Sequence, residues 1–298
     1  MPVTAIADII DPEVLGDQAS AIWPDKLVLG NSSLVSVDTE FPLGSPGTKF
    51  KMPFWKRIAG FGALTEGTAM TTNKVTAGAE HATVQRGGNA YEVYDTASLV
   101  SKADPTAEIA GQVAQVAANY VDDALVVRMN KTPNKYDASG VGAGTMTVDA
   151  IITGLITYLG DAYANMIGSG AIIMHSKVYG DLLKLGVIQN QYQSGMDVLK
   201  TGTIPTLLGL PIMLSDRVTT ATISSVTHYY SYVVGPGALA LFHQRGLKVE
   251  FDRDILLQAD IIAATVHFAT HLFGWDDLTD AQVAQDAKSI TVVRIQTK

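Results

Sequence analysis

Residues 104–130 read DPTAEIAGQVAQVAANYVDDALVVRMN, and the rest of the chain is placed around them. Asp104 stands where an N-cap belongs, with Pro105 at the first helical position and Glu108 near the positive end of the helix dipole. Ile109, Val113, Val116, Tyr120, Ala124 and Val127 recur at three-and-four spacing, which predicts that they form the buried face. That reading leaves Asp122, Asp123 and Arg128 on the polar side, as surface or interface charge. Arg128 and Lys131 suit the C-terminal end, and Pro133 forbids continuation. At about 1.5 Å per residue such a helix is about 40 Å long, the width of a small domain.

Before this helix, residues 57–100 are rich in Thr, Ala and Gly and poor in large aliphatics. Arg86-Gly87-Gly88-Asn89 is a turn signal between stretches 74–86 and 90–95, so a long two-stranded ribbon is expected there. It lacks a core of its own and must lie on another surface. Deleting residues 74–88 is accordingly expected to leave the rest of the chain folded. Residues 1–45 are irregular, with a short helix predicted after Asp11 that has Pro12 at its first position. FPLGSPGTKFKMPFW, 41–55, reads as an extended arm.

After the helix, DASGVGAGTMT (137–147) is a glycine-rich joint. No G-x-x-x-x-G-K follows it, so it reads as a linker and not a phosphate loop. Thr147 caps a second helix whose face is Val148, Ile151, Ile152, Leu155, Ile156 and Leu159. AIIMH (171–175) is a short buried strand. Ser176 is expected to cap a helix reaching Leu185 and stopped by Gly186. Residues 187–203 read as an exposed loop. In LLGLPIMLSDRV (207–218), Pro211 cannot donate to a ladder, so it should begin an edge strand that Asp216 and Arg217 end at the surface. Later, Leu247, Val249 and Phe251 alternate with Lys248, Glu250 and Asp252 in a run of strands, and SITVVRIQTK ends the chain as another strand. Helices and strands do not alternate regularly, so the class is α+β.

Composition narrows the function. The 21 Lys and Arg against 29 Asp and Glu give a net charge of −8, the wrong sign for tight binding to nucleic acid. Charged residues are 17% of the chain and apolar residues 47%, which fits either a large core or apolar surface that meets other chains. There is no cysteine, so no disulfide or thiolate site exists. The first basic residue is Lys26, which does not fit a signal peptide, and residues 255–273 are too interrupted to span a membrane. The sequons at Asn31 and Asn130 read as chance matches.

No motif of catalysis or phosphate binding occurs. His267 and His271 would chelate a metal on a helix but sit about 13 Å apart on a strand. Asp252 and Asp254 read as a solvated strand end, and Lys74 as an exposed lysine. A Ser176–His175 pair is expected to point to opposite faces of a strand and so not to cooperate. No catalytic residue, cofactor or metal site is expected.

The order of these parts resembles the major capsid proteins of tailed bacteriophages, with the Hong Kong 97-type fold. IIDPEVLGDQ is similar to that family's N-terminal arm. ALTEGTAMTTNKVT with ASLVSKADP is similar to its extended loop, PTAEIAGQVAQVAANYVDDALV to its spine helix, and AIIMHSKVYGDLLKLG and LLGLPIMLSDRV to its axial domain. The resemblance implies an arm over 1–56, an extended β-ribbon loop over 57–100, and the spine helix with the start of a peripheral domain over 101–146. It also implies a mainly axial domain over 147–240 and a return to the peripheral domain with C-terminal strands over 241–298. It implies a non-enzymatic subunit that self-assembles in the bacterial cytoplasm into hexamers and pentamers of an icosahedral virion shell around double-stranded DNA. The DNA contact would be loose, no membrane would be involved, and scaffolding, portal and decoration proteins would be partners. Contacts between copies are expected from Arg57, Glu66, Lys74, Arg86, Asp122, Asp123, Arg128, Asp216 and Arg217. An encapsulin-type compartment shell is the nearest alternative, disfavoured by Pro12 and Gly16 where such shells carry an amphipathic helix. A soluble α/β hydrolase and a smaller decoration or tail protein are the others.

Overall fold

In the computed structural model the described residues are 19–38, 47–55, 62–63, 66–67, 69–70, 72, 74–75, 77–96, 105–141, 144–185, 206–274 and 291–298. The predicted helix after Asp11, the cap at Asp104, Gly186 and the loop 187–203 lie outside them. The fold is built on a long helix and two sheets, an α+β arrangement.

Helix α1, Pro105–Asn130, has the length read from the sequence. Its buried face is different. Val113, Ala114, Ala118, Val121, Leu125, Val126 and Met129 face the core, while Val116, Tyr120 and Val127 are 53%, 43% and 57% exposed. The helix carries apolar residues nearly all round, so spacing alone does not select a face. The alanines decide it, because a helix approaches a sheet most closely along its small residues.

The first sheet runs β1-β11-β12-β4, formed by β1 (Val35–Asp38), β4 (Gln85–Tyr94), β11 (Leu239–Asp254) and β12 (Ala259–Leu272). β1 is parallel to β11 and the other pairs are antiparallel. Leu241, Leu247, Val266, Phe268 and Leu272 meet α1 on one face.

Here the expected turn at 86–89 is absent. β4 runs straight through it, with Arg86 opposite His267, Gly87 opposite Val266, Gly88 opposite Thr265 and Asn89 opposite Ala264. The glycines serve close approach. A Cβ on Gly87 would lie 2.4 Å from the Tyr120 ring, and one on Gly88 would lie 2.7 Å from the Ala264 carbonyl oxygen.

The ribbon exists with other strands. β2 (Lys49–Trp55), which the sequence suggested was arm, pairs antiparallel with β3 (Ala77–Thr83) from Lys49–Thr83 to Trp55–Ala77. Pro53 is tolerated because β2 is an edge strand in this two-stranded sheet. The ribbon does not float free, since Phe50, Met52, Ala82 and Val84 pack on Ala240, Phe242 and Ala269 of the first sheet.

The second sheet has seven strands. Its main order is β5-β13-β10-β6-β8-β7, and β9 pairs on β10. The strands are β5 (Lys135–Asp137), β6 (Ala171–Met174), β7 (Thr206–Leu207), β8 (Leu210–Leu214), β9 (Thr220–Ile223), β10 (Val226–Val234) and β13 (Val292–Thr297). Ile173, Tyr232, Val234 and Val292 pack toward α1. Their neighbours Ile172, Met174, Val233 and Val293 pack the other way, on α2 (Val148–Tyr158) and α3 (Ser176–Leu183). Both faces being covered explains the unbroken apolar run of AIIM.

Thr147 Oγ1 accepts from Ala150 N at 3.1 Å, the cap expected for α2. For α3 the cap is His175 and not Ser176, because the His175 Nδ1 accepts from Lys177 N at 3.1 Å. Pro211 does not begin an edge strand as expected: Leu210 starts β8, which lies between β6 and β7, and the proline is tolerated because the ladder to β6 begins only at Ile212. Leu208 and Gly209, at φ +55° and +77°, turn β7 into β8, and Pro211 lies second in β8 with only two-residue β7 beyond it.

Candidate assembly surface

β11 and β12 form a long hairpin, and alternate residues along it point to opposite faces. The face away from α1 carries rows of cross-strand neighbours. Arg245, His267 and Arg86 make one row and Lys248, Thr265 and Gly88 the next. Glu250, Ala263 and Ala90 follow, then Asp252, Ile261 and Glu92. The outer face therefore runs from basic to acidic toward the hairpin tip. Lys248 pairs with Glu250, and Arg245 donates to Thr265 Oγ1 at 2.6 Å. Burial, then Arg245 and Arg86, hold the His267 ring below its ordinary pKa.

On this same face, farther from the tip, the β2–β3 ribbon covers Ala269 and His271. The His271 Nε2 lies 2.6 Å from Glu80 Oε2, both groups are buried, and Glu80 Oε1 accepts from Gly274 N at 3.1 Å. Nothing in the sequence pointed to this pair, whose members stand 191 positions apart.

The tip is ordered but apolar. Asp254 accepts from Leu256 N and Leu257 N at 2.8 and 3.1 Å, and Arg253 bridges Asp95 and Asp260 at 2.7 and 2.8 Å. On this fixed backbone Ile255 and Leu256 are 81% and 95% exposed. Trp55, at the far end of the ribbon, is 74% exposed. The sequence reading passed over this tip because the apolar run continues through it.

The residues expected at contacts separate as follows. Arg57 lies outside the described residues. Glu66, Lys74 and Arg86 are exposed. Asp122, expected on the polar side of α1, is buried, because its carboxylate accepts from Val28 N at 2.9 Å and Gly30 N at 3.2 Å. Burial raises its pKa and those backbone donors partly offset the rise. Asp123 pairs with Arg217 of the same chain at 3.0 Å, which ties α1 to the turn after β8. Arg128 donates to Thr270 Oγ1 at 3.2 Å. Asp216 accepts from Ser176 N at 3.1 Å, and the Ser176 hydroxyl and N–H hold its carboxyl below the usual range.

His175 and Ser176 do come together, contrary to the opposite-face expectation, with the ring Nδ1 3.4 Å from the Ser176 oxygen. They meet because the strand has already ended and His175 caps the helix. That same nitrogen takes Lys177 N–H and faces Asp216 Oδ1 at 3.6 Å. In a nucleophilic triad the carboxylate and the hydroxyl use different ring nitrogens. Here both crowd one, which is a helix cap. Among the described residues no group of three His, Asp or Glu is placed to hold a metal, and no helix is long and apolar enough to cross a membrane.

Comparison with known proteins places this architecture. No family model matches the chain. Over 287 residues it is 24% identical to the major capsid protein of Bacillus phage SPP1, covering 91% of this chain and 86% of that one. A solved chain of Mycobacterium phage Che8 superposes with a TM-score of 0.67 at 18% identity, covering 90% of both chains. The acid-stable capsid of Helicobacter pylori bacteriophage KHP30 superposes with a TM-score of 0.68 at 11% identity, covering 90% of this chain and 89% of that one. The chain therefore has the fold of bacteriophage capsid proteins and is similar along nearly its whole length to a phage major capsid protein.

Proposed function

We propose that this chain is a bacteriophage major capsid protein of the Hong Kong 97 type, a structural subunit and not an enzyme. The observation that carries the proposal is the similarity to a phage major capsid protein over 91% of the chain. The surface supports it. An ordered hairpin tip that presents Ile255 and Leu256 to water gains from burial against other chains, at about 25 cal/mol per Å². In this reading α1 is the spine helix and the ribbon of β2 and β3 is the extended loop. The β11–β12 sheet is the peripheral domain, and the second sheet with α2 and α3 is the axial domain. Copies join as hexamers and pentamers into an icosahedral shell around double-stranded DNA. An acidic wall grips that DNA loosely. Arg86, Glu66 and Lys74 are exposed and contribute to contacts between copies in this reading.

Electron microscopy of the purified protein tests this. Closed shells, and DNA inside those taken from infected cells, are the expected result. Shells that enclose protein and no nucleic acid would favour a compartment shell of the same fold. A single-chain species at high concentration would contradict both.

A further inference from the structure

Val116 and Tyr120 are apolar residues of α1 that the fold leaves half exposed. They line an open groove between α1 and the edge strand β4, with about 260 Å³ of space. Gly87, Gly88 and Ala117 keep the groove open by being small, and Tyr91 lines it from β4. Arg86 is the one charged side chain in its lining. Glu250, which feels the charge of Arg86, is already paired with Lys248. Among the described residues β4 has no strand on its outer edge.

The second apolar feature left uncovered is the hairpin tip, and three observations fit it to this groove. The first is size. An apolar cavity of about 150 Å³ already holds a benzene-sized group. The groove therefore has room for the aliphatic side chains of Ile255 and Leu256, which are 81% and 95% exposed. The second is charge. Within residues 252–260 and their neighbour Asp95, four carboxylates stand against the single cation Arg253, so an acidic knob meets a groove whose lining is basic. The third is rigidity. Asp254 holds the N–H groups of Leu256 and Leu257, so docking the tip orders little that is not already ordered.

A chain's own tip does not fill its own groove. Gly88 is opposite Thr265, and the six residue steps from Thr265 to Ala259 span about 20 Å along β12. The pairing of Asp254 with Ala259 fixes the tip beyond that end. We infer that the tip of one copy docks in the α1–β4 groove of a second copy, with Ile255 and Leu256 on the apolar lining and the tip carboxylates toward Arg86. The contact joins two different surfaces, so it runs head to tail and closes into rings or continues from copy to copy. This inference rests on the capsid reading and names the surfaces by which copies meet.

The natural absence of cysteine makes a direct test simple. Leu256→Cys with Val116→Cys in one chain, oxidised mildly after assembly, is expected to give a ladder of covalent dimers, trimers and larger products on a denaturing gel. Leu256→Cys alone is expected to stay a single chain. So is Leu256→Cys with Ile156→Cys, on the exposed side of α2. Adding Arg86→Glu to the first pair sets like charges against the tip and should lower the cross-linked fraction at least about threefold. A thermal melt checks that each variant is folded. Dimers from Leu256→Cys alone would mean that tip meets tip. A disulfide within one chain would mean that the groove takes its own tip. Either result overturns the inference, as do equal ladders from the two pairs or shells that yield no covalent product. In each of those cases shells seen by microscopy leave the capsid reading standing. An unaltered chain that forms no shells overturns that reading, and this inference with it.

Discussion

The two sheets differ in how much of each face is covered. The second has helices on both sides, and Ile172, Ile173, Val233, Val234, Val292 and Val293 are fully buried within it. The first has α1 on one face but only part of a ribbon on the other, and its hairpin ends in Ile255 and Leu256 with their side chains in water. One sheet completes its core inside the chain. The other has surface left that only more polypeptide can cover. On the proposed reading the same chain holds a self-sufficient region, whose residues set stability, and a less covered region, whose residues are expected to set association.

Breaking this contrast begins with the largest change. Removing residues 74–88, harmless to folding if they made a free ribbon, takes out β3 and the first part of β4. Loss of folding is expected, visible as a missing cooperative transition in thermal melts. Next, Ile173→Ala opens a cavity in the covered sheet and should cost about 2–5 kcal/mol in denaturant titration. An effect below about 1 kcal/mol would mean that this core is not closed.

Within the first sheet the covered half should behave like the second sheet on a smaller scale. Glu80→Ala removes a buried partner of His271 and should cost about 1–3 kcal/mol. The paired glycines sharpen the scale further. Gly88→Ala drives a Cβ into the Ala264 carbonyl and should cost about 1–2 kcal/mol. Gly87→Ala meets only the half-exposed ring of Tyr120, which can swing aside, so it should cost less than Gly88→Ala and be relieved by Tyr120→Ala. The reverse order would mean that the Tyr120 ring is held in place and cannot swing aside.

The same contrast explains what could be read from residues alone. Pro105 and Pro133, Thr147, and the alternation along Leu247, Val249 and Phe251 are local signals, and the elements follow them. Gly87 and Gly88 misled because glycine serves turns and close approach equally, and the partners that distinguish the two, Tyr120 and Ala264, are distant in sequence. The face of α1 misled because Ala114 and Ala118 matter by being small, which a search for large apolar side chains passes over. Asp122 reads as surface because its partners, the N–H groups of Val28 and Gly30, lie more than 90 residues away. Of the candidate assembly surface, the charged alternation of β11 was legible, whereas Arg86 was expected in a turn and lies inside β4. The exposed tip was not, because an apolar run reads as strand whether or not the chain turns within it. Glu80 and His271 meet only through the fold.

The division between the two regions is tested most directly by Leu256→Asp, with melting temperature and sedimentation velocity measured on the same preparation. The account expects an unchanged melting temperature for the dissociated subunit and a loss of the shell-sized species expected of the unaltered chain. A variant that still closes normal shells, or one whose subunit melts several degrees lower, would contradict it.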